Sequence, residues 1–267
     1  MLPQLQNTEE GLLMNNIISK NSLIGFIMAG DPDLETTKKC IIAMDDAGAD
    51  MVELGIPFSD PIAESKVIQS ANIRALKSGT HLTNIFLMLE QARKSTDIPI
   101  ICHSYINPIF NYGYEPFFEM CKKVKVTGVV VPDLPYEEKS EIKEYADKYG
   151  VHIISFVVPA SKERIQKISQ NASGFIYFVP SISSTAMMGD SSSEIDKIVE
   201  IIKEVKDIPV ALGFGINTAS QAEYFSKKAD GVIIGNAIVK IIEKYSKTSP
   251  EYVYNYVKEM KNAIIQI

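Results

Sequence analysis

The chain has 267 residues, 46% hydrophobic and 22% charged, with a formal net charge of −6 and a mean hydropathy of +0.03. An acidic balance with no basic block argues against nucleic acid or an anionic membrane surface as a partner. No apolar run approaches the ~18 residues of a membrane span and the start, MLPQLQNTEEGLL, lacks a signal-peptide pattern, so a cytoplasmic protein is expected.

Residues 5–20 carry the pattern of an amphipathic helix. Residues 23–28 read as a first strand that ends in the turn Ala29-Gly30-Asp31-Pro32, and 34–47 as a helix closed by Gly48. A second strand, 50–55, is followed by helices at 65–78 and from Thr83 to about residue 95. Then come strand 98–103, helix 115–125, strand 128–131, helix 136–149, strand 151–158 and helix 161–170. Strand 174–179 leads into a Ser-rich stretch that ends near residue 193. The chain closes with helix 194–206, strand 209–212, helix 218–227, strand 231–234 and helices 236–245 and 250–265.

The strands are short and almost continuously apolar, as expected when both faces are buried. Eight strand-then-helix units in about 250 residues predict a single (β/α)8 TIM barrel over residues 1–267, α/β in class, with an extra N-terminal helix and a phosphate-binding helix. An open doubly wound sheet would carry a glycine-rich dinucleotide turn after its first strand, and Ala29-Gly30-Asp31-Pro32 is not one. Cys40, Cys102 and Cys121 lie in apolar segments and read as reduced thiols. His81, His103 and His152 are scattered, and no Cys/His spacing predicts a metal.

In a barrel of this kind the chemistry sits at the C-terminal ends of the strands. Those ends carry Asp31, Glu53 with Asp60 and Glu64, Tyr105 and Asn107, Asp133, the 181–190 stretch, Gly213-Phe214-Gly215 and Gly235-Asn236. Glu53 interrupts an apolar strand, where a carboxylate is costly unless paired or used. This inventory has carboxylates and a tyrosine but no plausible nucleophile, and it supports acid–base chemistry. The two glycine turns after the last two strands, the second opening a helix, suit a phosphate. Asp60, between Ser59 and Pro61, suits a turn or an interface, and Asp133 suits an interface or the ordering of its loop.

Read together, Val52 to Ala63 with its core ELGIPFSDP, Tyr105-Ile106-Asn107-Pro108, Pro132-Asp133-Leu134-Pro135, Gly174-Phe175-Ile176-Tyr177, Gly213-Phe214-Gly215-Ile216 and 229–235 resemble the tryptophan synthase α-subunit family. The resemblance implies a lyase of tryptophan biosynthesis that cleaves indole-3-glycerol phosphate to indole and glyceraldehyde 3-phosphate by a retro-aldol reaction. It implies Glu53 as the general acid/base and Glu64, matching the family's aspartate, as the carboxylate at the ring nitrogen. A carboxyl at a buried strand end is expected to have a raised pKa, which suits it to donate as well as accept. By the same resemblance Phe26, Tyr105, Tyr177, Thr185 and Phe214 line the substrate, and Gly215, Gly235 and Asn236 hold the phosphate. The resemblance also implies that Asp60, Pro61, Asn107 and Asp133 face a β subunit in an α2β2 heterotetramer. No cofactor is implied in this chain, with pyridoxal phosphate in the β partner and no metal. A catalytically weak α-like subunit that binds and activates a β subunit is the alternative.

The chain departs from the family pattern in three places. Ala63-Glu64-Ser65-Lys66 stands where the family has Ala-Asp-Gly-Pro, and Lys66 brings a cation next to Glu64. Ser183-Ser184-Thr185-Ala186 replaces Gly-Val-Thr-Gly, and Asn236 replaces a serine.

Overall fold

The computed structural model describes residues 17–180, 192–213 and 215–265. The strands are β1 (Ser22–Met28), β2 (Met51–Gly55), β3 (Ile100–His103), β4 (Val126–Val130), β5 (His152–Ile153), β6 (Ser155–Val157), β7 (Ile176–Phe178), β8 (Val210–Gly213) and β9 (Gly231–Ile234). The helices are α1 (Leu34–Asp46), α2 (Lys66–Lys77), α3 (Leu82–Ala92), α4 (Ile106–Tyr112), α5 (Tyr114–Lys123), α6 (Ser140–Tyr149), α7 (Lys162–Gln170), α8 (Ser192–Val205), α9 (Ala219–Ser226), α10 (Asn236–Tyr245) and α11 (Ser249–Ile265).

The strands form one parallel sheet in the order β5-β4-β3-β2-β1-β9-β8-β7-β6. Its two ends, β5 and β6, are consecutive pieces of the same segment, separated only by Ile154. The sheet therefore curls into a nearly closed TIM barrel, as predicted, with the expected fifth strand split in two. Ile154 keeps its own N–H bonded to Val129 O at 2.9 Å, while β6 turns to pair with β7.

Alternation along the strands sorts the core into two layers. Ile24, Met51, Ile101, Val130, Ile154, Phe175, Tyr177, Ala211 and Ile233 fill the barrel interior. Their neighbours Leu23, Ile27, Val52, Leu54, Ile100, Cys102, Val129, Ile176, Phe178 and Leu212 pack with the helices in the larger outer core. Continuing the inner parity to the strand ends brings Phe26, Glu53, His103, Tyr177 and Gly213 to one mouth. Gly213 is required there: a Cβ on it would stand 2.5 Å from the Tyr177 ring.

The loops after the strands are pinned by polar side chains. Asp33 caps α1 through Thr36 N–H at 2.7 Å, an interaction of about 1 kcal/mol. Arg74 in α2 donates to both oxygens of Asp31, each at 2.8 Å, and to Glu243 at 2.7 Å, which joins the β1 loop to α2 and α10. Asp31 is only 2% exposed, so its charge is stable there because Arg74 grips it bidentately.

Two expectations are revised. Residues 17–20 carry no helix, and the rest of the predicted helix at 5–20 lies outside the described residues. Residues 106–112 form α4, where the sequence pattern predicts no element. The Ser-rich stretch through residue 191, with Thr185, and the single residue Phe214 also lie outside the described residues. No helix of the described residues is long and apolar enough to cross a membrane.

Candidate active site

β2 delivers Glu53 to the barrel mouth with its side chain fully buried. Two groups satisfy it. Its Oε1 lies 2.6 Å from His103 Nδ1 at the end of β3, and its Oε2 accepts from the Tyr177 hydroxyl at 3.4 Å. On the far side of the imidazole, His103 Nε2 stands 3.0 Å from Glu64 Oε1, at ion-pair distance but without hydrogen-bond alignment. The imidazole thus bridges the two carboxylates implied as catalytic. Burial pulls its pKa down, but the hydrogen bond to Glu53 and the approach of Glu64 outweigh burial and hold it at about 10. The two flanking carboxylates therefore favour the protonated imidazolium. Burial first, then the charges of Glu53 and Glu64, push the Tyr177 hydroxyl well above its ordinary value, so it remains a neutral donor.

Glu64 is placed by a loop with its own supports. The Tyr105 hydroxyl accepts from Ala63 N–H at 2.9 Å, and Asn72 Oδ1 accepts from Phe58 N–H at 2.9 Å. Gln69 Nε2 donates to Glu64 O at 3.0 Å. Ser65 caps α2, accepting from Ile68 N–H at 3.4 Å, and its hydroxyl donates to Asn236 Oδ1 at 2.7 Å. Ser65 thereby ties the Glu64 loop to the start of α10. Lys66 is exposed, and the cation beside Glu64 is His103 rather than Lys66. The expected pairing is corrected for a simple reason: Lys66 opens α2 facing solvent, while Glu64 turns into the barrel.

A cavity of about 140 Å³ collects these groups. Phe26, Glu53, Glu64, Ser65, His103, Phe156, Tyr177, Gly213, Gly215, Gly235 and Asn236 line it. Phe26 meets the His103 ring edge-on at 5.8 Å, and Phe156 lies 5.0 Å from Tyr177. Gly215 has φ +65°, a conformation that glycine adopts without strain. Gly235 immediately precedes α10, whose first-turn N–H groups are without helical acceptors and suit an anion. One cavity therefore joins two carboxylates bridged by an imidazolium to an anion-binding turn.

The remaining predicted residues fall elsewhere. Tyr105 is buried beneath the Glu64 loop and supports it without lining the cavity. Asp133 Oδ1 accepts from Ile106 N–H at 3.0 Å and so orders the start of α4. Asp60 and Asn107 are exposed and Pro61 is half-buried, and beside them Ile62 and Phe110 are 82% and 64% exposed. His103 is the residue that sequence reasoning missed. Its signal was available: it ends a strand, two positions after the inward-facing Ile101. Among the described residues, no group of His, Cys, Asp and Glu is arranged to hold a metal, and all three cysteines are free and buried.

Comparison with known proteins follows the same lines. The sequence profile of the family described as "Tryptophan synthase alpha chain" matches residues 14–265. The chain is 44% identical over 241 residues to the tryptophan synthase alpha chain of Lacticaseibacillus casei, covering 90% of this chain and 91% of that one. It is 40% identical over 247 residues to that of Thermoanaerobacter sp. (strain X514), covering 92% and 94%. Among solved structures it is similar to tryptophan synthase subunit alpha from Legionella pneumophila str. Paris, with TM-score 0.84, 34% identity and coverage of 92% and 93%. It is also similar to a chain from the Pyrococcus furiosus tryptophan synthase α2β2 complex, with TM-score 0.85, 33% identity and coverage of 92% and 99%.

Proposed function

The chain belongs to the tryptophan synthase alpha chain family, and on that premise we propose that it cleaves indole-3-glycerol phosphate to indole and glyceraldehyde 3-phosphate. Membership implies a lyase role in tryptophan synthesis. The observation that carries the specific reaction is the single cavity holding Glu53 and Glu64 together with Gly215, Gly235 and Asn236.

The chemistry follows from what cleavage requires. Carbon 3 of the indole must gain a proton, positive charge then develops at the ring nitrogen, and a side-chain hydroxyl must lose its proton as the carbon–carbon bond breaks. Glu53 performs the proton transfers. Glu64 faces the ring nitrogen and stabilises its positive charge. Tyr177 orients Glu53 through its second oxygen, and Phe26 packs on the indole. The phosphate binds at Gly215, Gly235 and Asn236, where Ser65 holds the Asn236 carbonyl and leaves the amide N–H groups to donate. These steps call for no cofactor in this chain.

The Pyrococcus furiosus neighbour is described in terms of mutual activation within an α2β2 complex. That likeness supports a β-subunit partner for this chain and an α2β2 assembly. The partner surface comprises Asp60, Pro61, Asn107 and the Asp133 loop, with exposed Ile62 and Phe110 as apolar anchors. Pyridoxal phosphate belongs to the β partner.

A second reading, a subunit that activates a β partner with little turnover of its own, draws on one observation: Glu64 faces His103 as well as the cavity. One assay separates the two. Indole release from indole-3-glycerol phosphate, with and without the β subunit, is expected in the wild type and abolished in Glu53→Gln. No release under either condition, with activation of the β subunit retained, refutes the lyase reading.

A further inference from the structure

On the reading that the chain is this lyase, we propose that His103 is the proton store of the site: it lends Glu53 the proton delivered to carbon 3 and recovers the one released by the side-chain hydroxyl. The geometry leaves Glu53 little choice. Its side chain is 0% exposed, and among the described residues the donors facing it are His103 Nδ1 at 2.6 Å and the Tyr177 hydroxyl at 3.4 Å. Tyr177 is the poorer source, since burial and the adjacent carboxylates push its pKa well above the usual phenol value. Among the described residues, the charged groups facing the imidazole are Glu53 from β2 and Glu64 from the loop after it. From β1 it meets only the edge of the uncharged Phe26 ring, and Tyr177 on β7 reaches it through Glu53.

The proton count closes over one cycle. The Nδ1–H bond breaks as an O–H bond forms on Glu53. That O–H bond breaks as the ring's π electrons take its proton into a new C–H bond at carbon 3, which leaves the positive charge on the ring nitrogen facing Glu64. The side-chain hydroxyl then gives its proton to Glu53, its electron pair forms the aldehyde C=O, and the breaking carbon–carbon bond returns its pair to the ring. Glu53 hands the proton back to Nδ1. Glu64 keeps the imidazolium available by opposing its charge on the other side. His103 acts through Glu53 and is a positioning residue, whereas Glu53 touches the reacting atoms.

The test uses the full chain with its β partner, and compares wild type with His103→Gln and His103→Gly. Indole-3-propyl phosphate, which has no cleavable hydroxyl, serves as the binding probe. His103→Gln is expected to bind the probe as wild type does and to keep its KM. Its kcat is expected to fall about 100-fold, the usual scale of an acid–base contribution, and the alkaline limb of its kcat profile should move to lower pH. A kcat within about threefold of wild type with the same alkaline limb overturns the proposal. Should His103→Gln also lose probe binding, added imidazole on His103→Gly decides: regained kcat supports the store, and none refutes it. Nitrogen NMR of the wild type provides a readout independent of turnover, since a His103 ring with one proton at about pH 8 overturns the proposal. Absence of indole release from the wild type removes the lyase reading itself, an outcome distinct from a wild type that works and a His103→Gln variant that works equally well.

Discussion

Replacing Glu64 by Gln removes one of the two negative charges that hold His103 as an imidazolium. Glu64 Oε1 stands 3.0 Å from Nε2, and its side chain is only 10% exposed, so solvent screens the contact weakly. An opposite charge this close typically moves a pKa by about 1–3 units. The imidazolium, held at about 10 in the wild type, should therefore titrate about 1–3 units lower in the variant. Its folded-state pKa lies above the ordinary 6.5. Its stabilisation is thus complete below about pH 6.5 and is lost as pH rises through about 10. The variant should accordingly be less stable than wild type by about 1.4 kcal/mol per unit of lost shift near pH 6.5, and the gap should close above about pH 10. NMR titration of ring-labelled histidine follows the first effect, with His81 and His152 assigned by substitution, and urea unfolding at the two pH values follows the second. Superimposable His103 titrations in the two proteins would refute the charge-bridge argument.

Tyr105→Phe leaves Ala63 N–H without its acceptor; it should cost about 1 kcal/mol in urea unfolding and lower kcat/KM, because Glu64 is the next residue. Asn236→Ala should raise KM about 10- to 100-fold, since a hydrogen bond to a charged group contributes about 1.5–3 kcal/mol; an unchanged KM removes Asn236 from the phosphate site. Arg74→Ala strands the buried Asp31 carboxylate and should lower the unfolding free energy by about 3 kcal/mol or more at unchanged m-value.

The barrel was legible because each strand is a short apolar run between turn residues, a pattern that survives without any knowledge of pairing. Two local features were not. α4 begins Ile106-Asn107-Pro108, which reads as a turn, yet Pro108 falls in the first helical turn, where a missing N–H costs nothing. The break at Ile154 is a change of partner strand, and no property of the apolar run itself marks it. At the site, Glu53 stood out as a charge inside an apolar strand, and the glycine turns stood out by position. His103 did not, because its meaning lies in contacts to residues 50 and 39 positions away in sequence, Glu53 and Glu64. Parity places it facing inward, but the register of β2 against β3, Glu53 beside Ile101 and Gly55 beside His103, is what sets it against Glu53.

On the proposed reading, Glu53 drives cleavage of the carbon–carbon bond of indole-3-glycerol phosphate bound in this cavity. Indole and glyceraldehyde 3-phosphate should appear in equal amounts from the wild type with its β partner. The Glu53→Gln variant should release neither while still stimulating the β subunit. A wild type that releases no indole, or a Glu53→Gln variant that retains most of the rate, would contradict the account.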